Sequence, residues 1–423
     1  MNKYLLTALL FAAPLLLQAQ IGNVLNRAKA KVNQRINNKI DKGIDEALDE
    51  VEGKGKSKPA ANNSADGTAS SNKKIGYAST FDFIPGEKLL YTEDFSQDVV
   101  GELPLNWNTT GKGEVVTVDG KNGKWVKMYQ NSFYLTGNKT EFPKNFTVEF
   151  DLLLAFNYKN YTLPLVTFGL LSSSDLSTTE NELMTNHSKY QSTEVMLRPG
   201  YKSTPSYASL KSFIERKDFY KSADQELDGF DANYNEVIHI AMQVQESRLR
   251  IWINSDKVFD IPKGVPVQYI FNQLFFKIHS SGYKDNEIGF YLSNIKVATG
   301  IPDTRHKLME EGTFSTTGIL FNVNEATLQP ASYGVIREIA AVFKANPSVR
   351  ISITGHTDSD GADAANLTLS QKRAATVKDV LVNEFGIDAA RMETDGKGET
   401  KPVADNTTKE GKAANRRVEF TKL

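Results

Sequence analysis

The stretch Val349-Arg350-Ile351-Ser352-Ile353-Thr354-Gly355-His356-Thr357-Asp358-Ser359-Asp360-Gly361 decides the fold of the C-terminal quarter of this 423-residue chain. Residues 349–355 are rich in β-branched side chains and read as a strand, which opens into a polar, Gly-closed loop. The next segment, 366–384, carries Leu369, Ala374, Val377, Val380 and Leu381 on one side at helical spacing. Working outward, 318–322 reads as a strand, 330–345 as a helix, and 391–395 and 417–421 as strands. Strand and helix alternate, so the region is expected to be a compact α/β domain of βαβαββ type with a mixed sheet, led in by 301–317.

Upstream the texture differs. Residues 147–152, 238–244, 249–253 and 287–292 are short, largely alternating and bounded by turn residues such as Asn122-Gly123 and Asn254-Ser255-Asp256. Leu249–Ile253, the turn at 254–257 and Val258-Phe259 predict a hairpin. Many antiparallel strands at this spacing predict a two-sheet, all-β sandwich over 75–300. Residues 53–74 are rich in Gly, Ser, Asn, Ala and Lys without apolar periodicity, as a flexible linker is. Residues 20–52 predict an amphipathic helix, with Val24, Ala28, Val32, Ile36, Ile40, Ile44 and Leu48 recurring every fourth position. Its basic half (Arg27 to Lys39) precedes its acidic half (Asp45 to Glu52). Three readings stay open for it: a helix that forms homo-oligomers, one that rests on a membrane surface, or a solvated or domain-docked helix.

Met1-Asn2-Lys3, the apolar run Leu5–Leu17 and Leu17-Gln18-Ala19 have the pattern of a signal peptide over 1–19. The run is short and broken by Pro14, and no later stretch reaches the ~18 apolar residues of a spanning helix. The protein is therefore expected to be exported to the periplasm, associated with cell wall and outer membrane. With no cysteine, the chain lacks disulfides, thiolate metal sites and a lipidated cysteine. Its five histidines show no metal-ligand spacing, and a net charge of −1 supplies no general pull toward nucleic acid. No cofactor and no metal are expected.

Gly355-His356-Thr357-Asp358, Asn366-Leu367-Thr368-Leu369-Ser370-Gln371-Lys372-Arg373-Ala374 and Asn415-Arg416-Arg417-Val418-Glu419-Phe420 occur in that order. Together they resemble the OmpA-like C-terminal domain, shared with peptidoglycan-associated lipoproteins and flagellar stator proteins, over roughly 312–423. The resemblance implies non-covalent binding of peptidoglycan through the diaminopimelate residue of its stem. It implies that Asp358 accepts hydrogen bonds from the ammonium, that Arg373 forks onto a carboxylate, and that Asn366 holds ligand and loop. Thr357 belongs to the same motif, and Asn324 is the polar candidate on the first strand–helix loop. Elementary chemistry agrees: a zwitterion needs one anion and one cation facing each other, and a planar guanidinium matches a carboxylate with two parallel bonds. Arg416 and Arg417 read as residues that pin the strand edge and the domain, and His356 as a structural histidine.

The residues 91–96, 146–151 and 288–297 resemble laminin-G and concanavalin-A-like jelly rolls. A sandwich of that type before an OmpA-like domain resembles the arrangement in exported proteins of the Bacteroidetes. Residues 75–300 do not fit the membrane barrel that commonly precedes this domain, because their strands are irregular with polar insertions. Fold does not decide function here. A lectin or envelope-protein ligand is one reading, with Trp107, Trp125, Tyr158 and Tyr161 as candidate platforms. A glycosidase is another, since Glu149 and Asp151 share one strand face. Positions 153 and 154 are both Leu, so the third carboxylate expected of that family is missing. The expectation is therefore a wall-binding protein without enzymatic activity, of domains 1–19, 20–52, 53–74, 75–300 and 301–423.

Overall fold

In the computed structural model the described residues are 82–138, 140–173, 180–300 and 303–423. The expected signal peptide, N-terminal helix and linker lie outside them. From residue 82 onward the described chain belongs to one compact unit.

Alternation of apolar and polar residues builds the first layer pair. Strands β1 (Lys88–Glu93), β2 (Asn145–Phe156), β3 (Val237–Gln245), β4 (Arg248–Ile253) and β5 (Ile288–Thr299) belong to one of two eight-stranded sheets among the described residues. In that sheet β4 pairs β3, β3 pairs β2, β2 pairs β5 and β5 pairs β1, all antiparallel. The second sheet runs from 217–221 through 206–214, 191–198, 166–172 and 273–278 to 132–135 and 108–109. Val148, Phe150 and Leu152 of β2 and Ile240 and Met242 of β3 point inward to meet Phe168, Val195 and Phe276 of the second sheet in one core. The expected hairpin is present, with Asn254 in the left-handed conformation its turn requires (φ 52°). Trp107 and Trp125 are buried at 7% and 2% exposure, so neither can offer a ring to a ligand. Their size and apolarity place them in the core and beside it. Tyr158 stacks on Tyr201, and only Tyr161 of the four aromatics is exposed.

The third sheet is four-stranded: β6 (Thr313–Thr316), β9 (Val418–Lys422), β7 (Ile351–Gly355) and β8 (Met392–Gly396), in that spatial order. Only β7 and β8 are parallel. Helices α1 (Tyr333–Ala345) and α2 (Asp363–Asn383) cover it, burying Ile336, Ile339, Phe343, Val377 and Leu381 against Ile351, Ile353 and Phe420. Two expectations need correction. The first strand is 313–316 and not 318–322. Residues 318–322 make only an isolated bridge (Phe321 to Leu328), because Gly318 is wedged between Pro85 and Val335 and the chain turns there. A third helix, α3 (Lys409–Asn415), intervenes before the last strand, so the order is βαβαβαβ and not βαβαββ. Thr408 caps α3 by accepting from the Gly411 amide. Its seven residues are too few to show a period.

Two ladder partners, Gly355 on β7 and Gly396 on β8, let α2 press onto the strands. A Cβ on Gly355 would stand 2.1 Å from the Ser370 carbonyl oxygen, and one on Gly396 2.4 Å from the Gln371 nitrogen. Gly355→Ala is therefore expected to cost about 1–3 kcal/mol of stability, by the usual penalty for overpacking. Urea denaturation measures it; an unchanged midpoint would show that the helix can shift freely.

The sandwich and the third sheet pack directly on each other. The outer face of β3 and β4 presents Ala241 and Trp252, which bury against Phe83 and Ala331 with Leu320 alongside. Lys409 of α3 reaches Glu93 at 2.5 Å and Asp98 at 2.8 Å. Burial pushes the Glu93 carboxyl up to about 7, against the opposing pull of Lys409.

Candidate functional site

The loop after β7 is pinned by its backbone. The His356 amide donates to the Arg417 carbonyl (3.0 Å) and the Thr357 amide to that of Gly398 (2.9 Å). These bonds carry Asp358 to the rim of a cavity of about 460 Å³ between the sandwich and the C-terminal sheet. Asp358 is buried, and its carboxylate accepts from the Asp360 amide at 3.1 Å and from Arg416 Nη1 at 2.6 Å. A carboxylate has about four acceptor positions, so capacity remains for a ligand. Thr357 is also buried, and its Oγ1 has no partner among the described residues.

Asn366, in the first turn of α2, donates to the carbonyls of Asp358 (3.3 Å) and Asp360 (3.1 Å) and to Glu399 (2.6 Å). Its amide nitrogen thus fixes the loop. Arg373 is the eleventh residue of α2, about three turns in. Its Nε donates to the Glu325 carbonyl at 3.0 Å, and its guanidinium lies 4.9 Å from the centre of the Phe321 ring. Burial, then the neighbouring charge of Arg416, lowers the Arg373 pKa to about 10, opposed by Asp358. It stays cationic at neutral pH. Among the described residues no hydrogen bond or ion pair joins Asp358 to Arg373, so the two are not spent on each other. Asn324 is exposed on the same rim, in the left-handed conformation (φ 58°) that Asn tolerates well. The cavity therefore brings together Asp358, Arg373, Asn366, Asn324 and Thr357.

Sequence reasoning missed two things. Arg416 both pins the domain and touches the site: it binds Asp358 and, at 3.3 Å through Nη2, Asp94 of the sandwich. The other omission is an entire wall. Asp94, Glu149, Asp151, His239, Asn294 and Lys296 of the sandwich line the same cavity. Glu149 and Asp151 do share a strand face, as their spacing implies, but that face points at the C-terminal domain. His239 Nδ1 lies 2.9 Å from Asp151 Oδ1, and its Nε2 lies 3.4 Å from Glu149. His356, by contrast, is buried with neither ring nitrogen hydrogen-bonded, and burial and Arg417 lower its pKa to about 4.

Burial alone would lower the His239 pKa. Hydrogen bonds and charges from Asp151 and Glu149 outweigh it and raise the group to about 9 from 6.5. The folded state thus holds this proton more tightly than the unfolded state does. The stability it contributes is complete below about pH 6.5 and is lost as pH rises through about 9. Its loss is up to roughly 1.4 kcal/mol per pH unit in that window. His239→Gln is expected to flatten the decline in urea-denaturation free energy between pH 7 and 9. An unaltered slope would show that the proton sits elsewhere.

Residues 320–416 match the OmpA family. The chain is 46% identical over 101 residues to outer membrane porin F of Pseudomonas aeruginosa, covering 24% of this chain and 29% of that protein. It is 42% identical over 102 residues to the peptidoglycan-binding protein ArfA of Mycobacterium tuberculosis, covering 24% and 31%. The chain thus spans less than a third of the length of either curated relative. The crystal structure of the peptidoglycan-associated lipoprotein from Burkholderia pseudomallei is 31% identical, over 26% of this chain and 89% of that one, with a TM-score of 0.24.

Proposed function

Starting from the OmpA family domain that the chain carries at residues 320–416, we propose that this protein binds peptidoglycan non-covalently through the diaminopimelate stem and so anchors or spaces the cell envelope. The observation that carries the reading is one of placement: Asp358 and Arg373 line one cavity, oppositely charged and not bonded to each other, although Arg416 already holds one oxygen of Asp358. A side chain ending in an amino-acid head brings an ammonium and a carboxylate a few ångströms apart. Asp358 takes the first and Arg373 the second by a two-point fork. Thr357 adds a hydroxyl, Asn366 holds the loop, and Asn324 closes the outer rim. The peptidoglycan-binding activity named for the ArfA relative supports the same ligand class.

In this reading residues 301–423 form the wall-binding domain and 75–300 a sandwich of laminin-G or concanavalin-A type. The protein acts in the periplasm, against cell wall and outer membrane; no helix among the described residues is long and apolar enough to span a membrane. The test is co-sedimentation of the full chain with purified sacculi, with soluble diaminopimelate-containing stem peptide as competitor. Binding that the peptide displaces supports the proposal, and absence of sedimentation overturns it.

A further inference from the structure

The stem-peptide reading uses only one wall of the cavity. The opposite wall is the outer face of β2, β3 and β5, where Lys296 is the ladder partner of Glu149. A bulge between Ser293 and Lys296 sets this register: Ile295 and Val297 stay in the core, and Lys296 turns out toward the cavity.

The neighbours of Lys296 already have partners. Asp151 accepts from Asn294 at 2.7 Å and lies 2.9 Å from His239, which also faces Glu149 at 3.4 Å. Asp94 receives Arg416. Lys296 is half-buried as a residue, yet no hydrogen bond or ion pair engages its ammonium among the described residues. Burial, with the charge of Arg416, pulls its pKa down against the acids around it. A desolvated cation without a bonded anion is poised to gain from one.

We propose, resting on the stem-peptide reading, that Lys296 binds a second carboxylate of the ligand, which makes the sandwich face a specificity-determining half of the site. When diaminopimelate is the last residue of the stem, its side-chain head supplies the ammonium and carboxylate for Asp358 and Arg373. The terminal carboxylate at its other end is the group left for Lys296. An amide at that position has no charge to offer. The site therefore selects trimmed stems with a free terminal carboxylate over capped ones.

Calorimetric titration of the full chain with the tripeptide L-Ala-γ-D-Glu-diaminopimelate and with its terminal amide tests this. The free acid is expected to bind about tenfold tighter than the amide, the scale of one charge-assisted hydrogen bond. Lys296→Met should bring the acid down to the affinity of the amide and leave the amide unchanged, while Lys296→Arg should keep the preference. Equal binding of acid and amide by the unaltered chain would mean that Lys296 does not meet the terminal carboxylate, and the inference falls without any variant being needed. Binding of neither peptide overturns the stem-peptide reading itself.

Discussion

Alanine in place of Asp358 or of Arg373 is expected to abolish co-sedimentation of the full chain with sacculi while leaving its circular dichroism spectrum native. Each substitution removes one charge of the pair and leaves the matching ligand charge desolvated and unmet. The cost is about 2–5 kcal/mol of binding, thirty-fold to several thousand-fold in Kd. The losses should differ in character. Asp358→Ala also frees Arg416 Nη1, so two guanidinium groups, Arg373 and Arg416, then face the ligand ammonium with Asp94 the nearest bonded anion. Arg373→Ala leaves the Asp358–Arg416 contact in place and exposes the carbonyls of Glu325 and Asn322. Normal sedimentation of both variants would sink the clamp assignment.

The second large effect is on stability. Lys409→Met is expected to cost about 3 kcal/mol, because it leaves Glu93 and Asp98 buried without their cation. The defect should depend on pH. Burial raises the Glu93 carboxyl to about 7, so the folded state binds this proton more readily than the unfolded chain, whose carboxyl titrates near 4.5. Stability from such a group is present at low pH and is lost as pH rises through that interval. The variant should accordingly be closer to the parent at pH 5 than at pH 8 in urea denaturation. An equal deficit at both would show that Lys409 acts through packing alone.

Much of this could be read from residue order. Alternation placed β2, β3 and β4 and the hairpin that β4 makes with residues 256–261, and apolar spacing placed α2 with its buried face. The loop motif led to Asp358, Arg373, Asn366, Asn324 and Thr357, which one cavity does bring together. What escaped has physical reasons. The 313–316 strand is four residues long, and Ile319 just beyond it is more apolar and drew the assignment forward. The seven-residue α3 is defined by the Thr408 cap and by contacts with β1, a long-range partner that no local pattern reveals. Lys296 joined the site through a bulge, which turns a side chain to the other face, and a bulge has no sequence period. Trp107 and Trp125 show the converse: aromatic type alone does not separate a binding platform from core filling.

The short ionic chain Asp358–Arg416–Asp94 also bears on how a pull would travel. The carboxylate proposed to hold the wall peptide is the same one that receives Arg416, and Arg416 also grips the sandwich. Tension applied at the ligand would then have two parallel routes out of the loop. One runs along the backbone through the strands to the covalent connection near residue 300; the other crosses the guanidinium directly into the strand region that carries Asp94. A joint of this kind shares load between a covalent path and a reversible one. Raising the ionic strength would slacken the second and leave the first untouched.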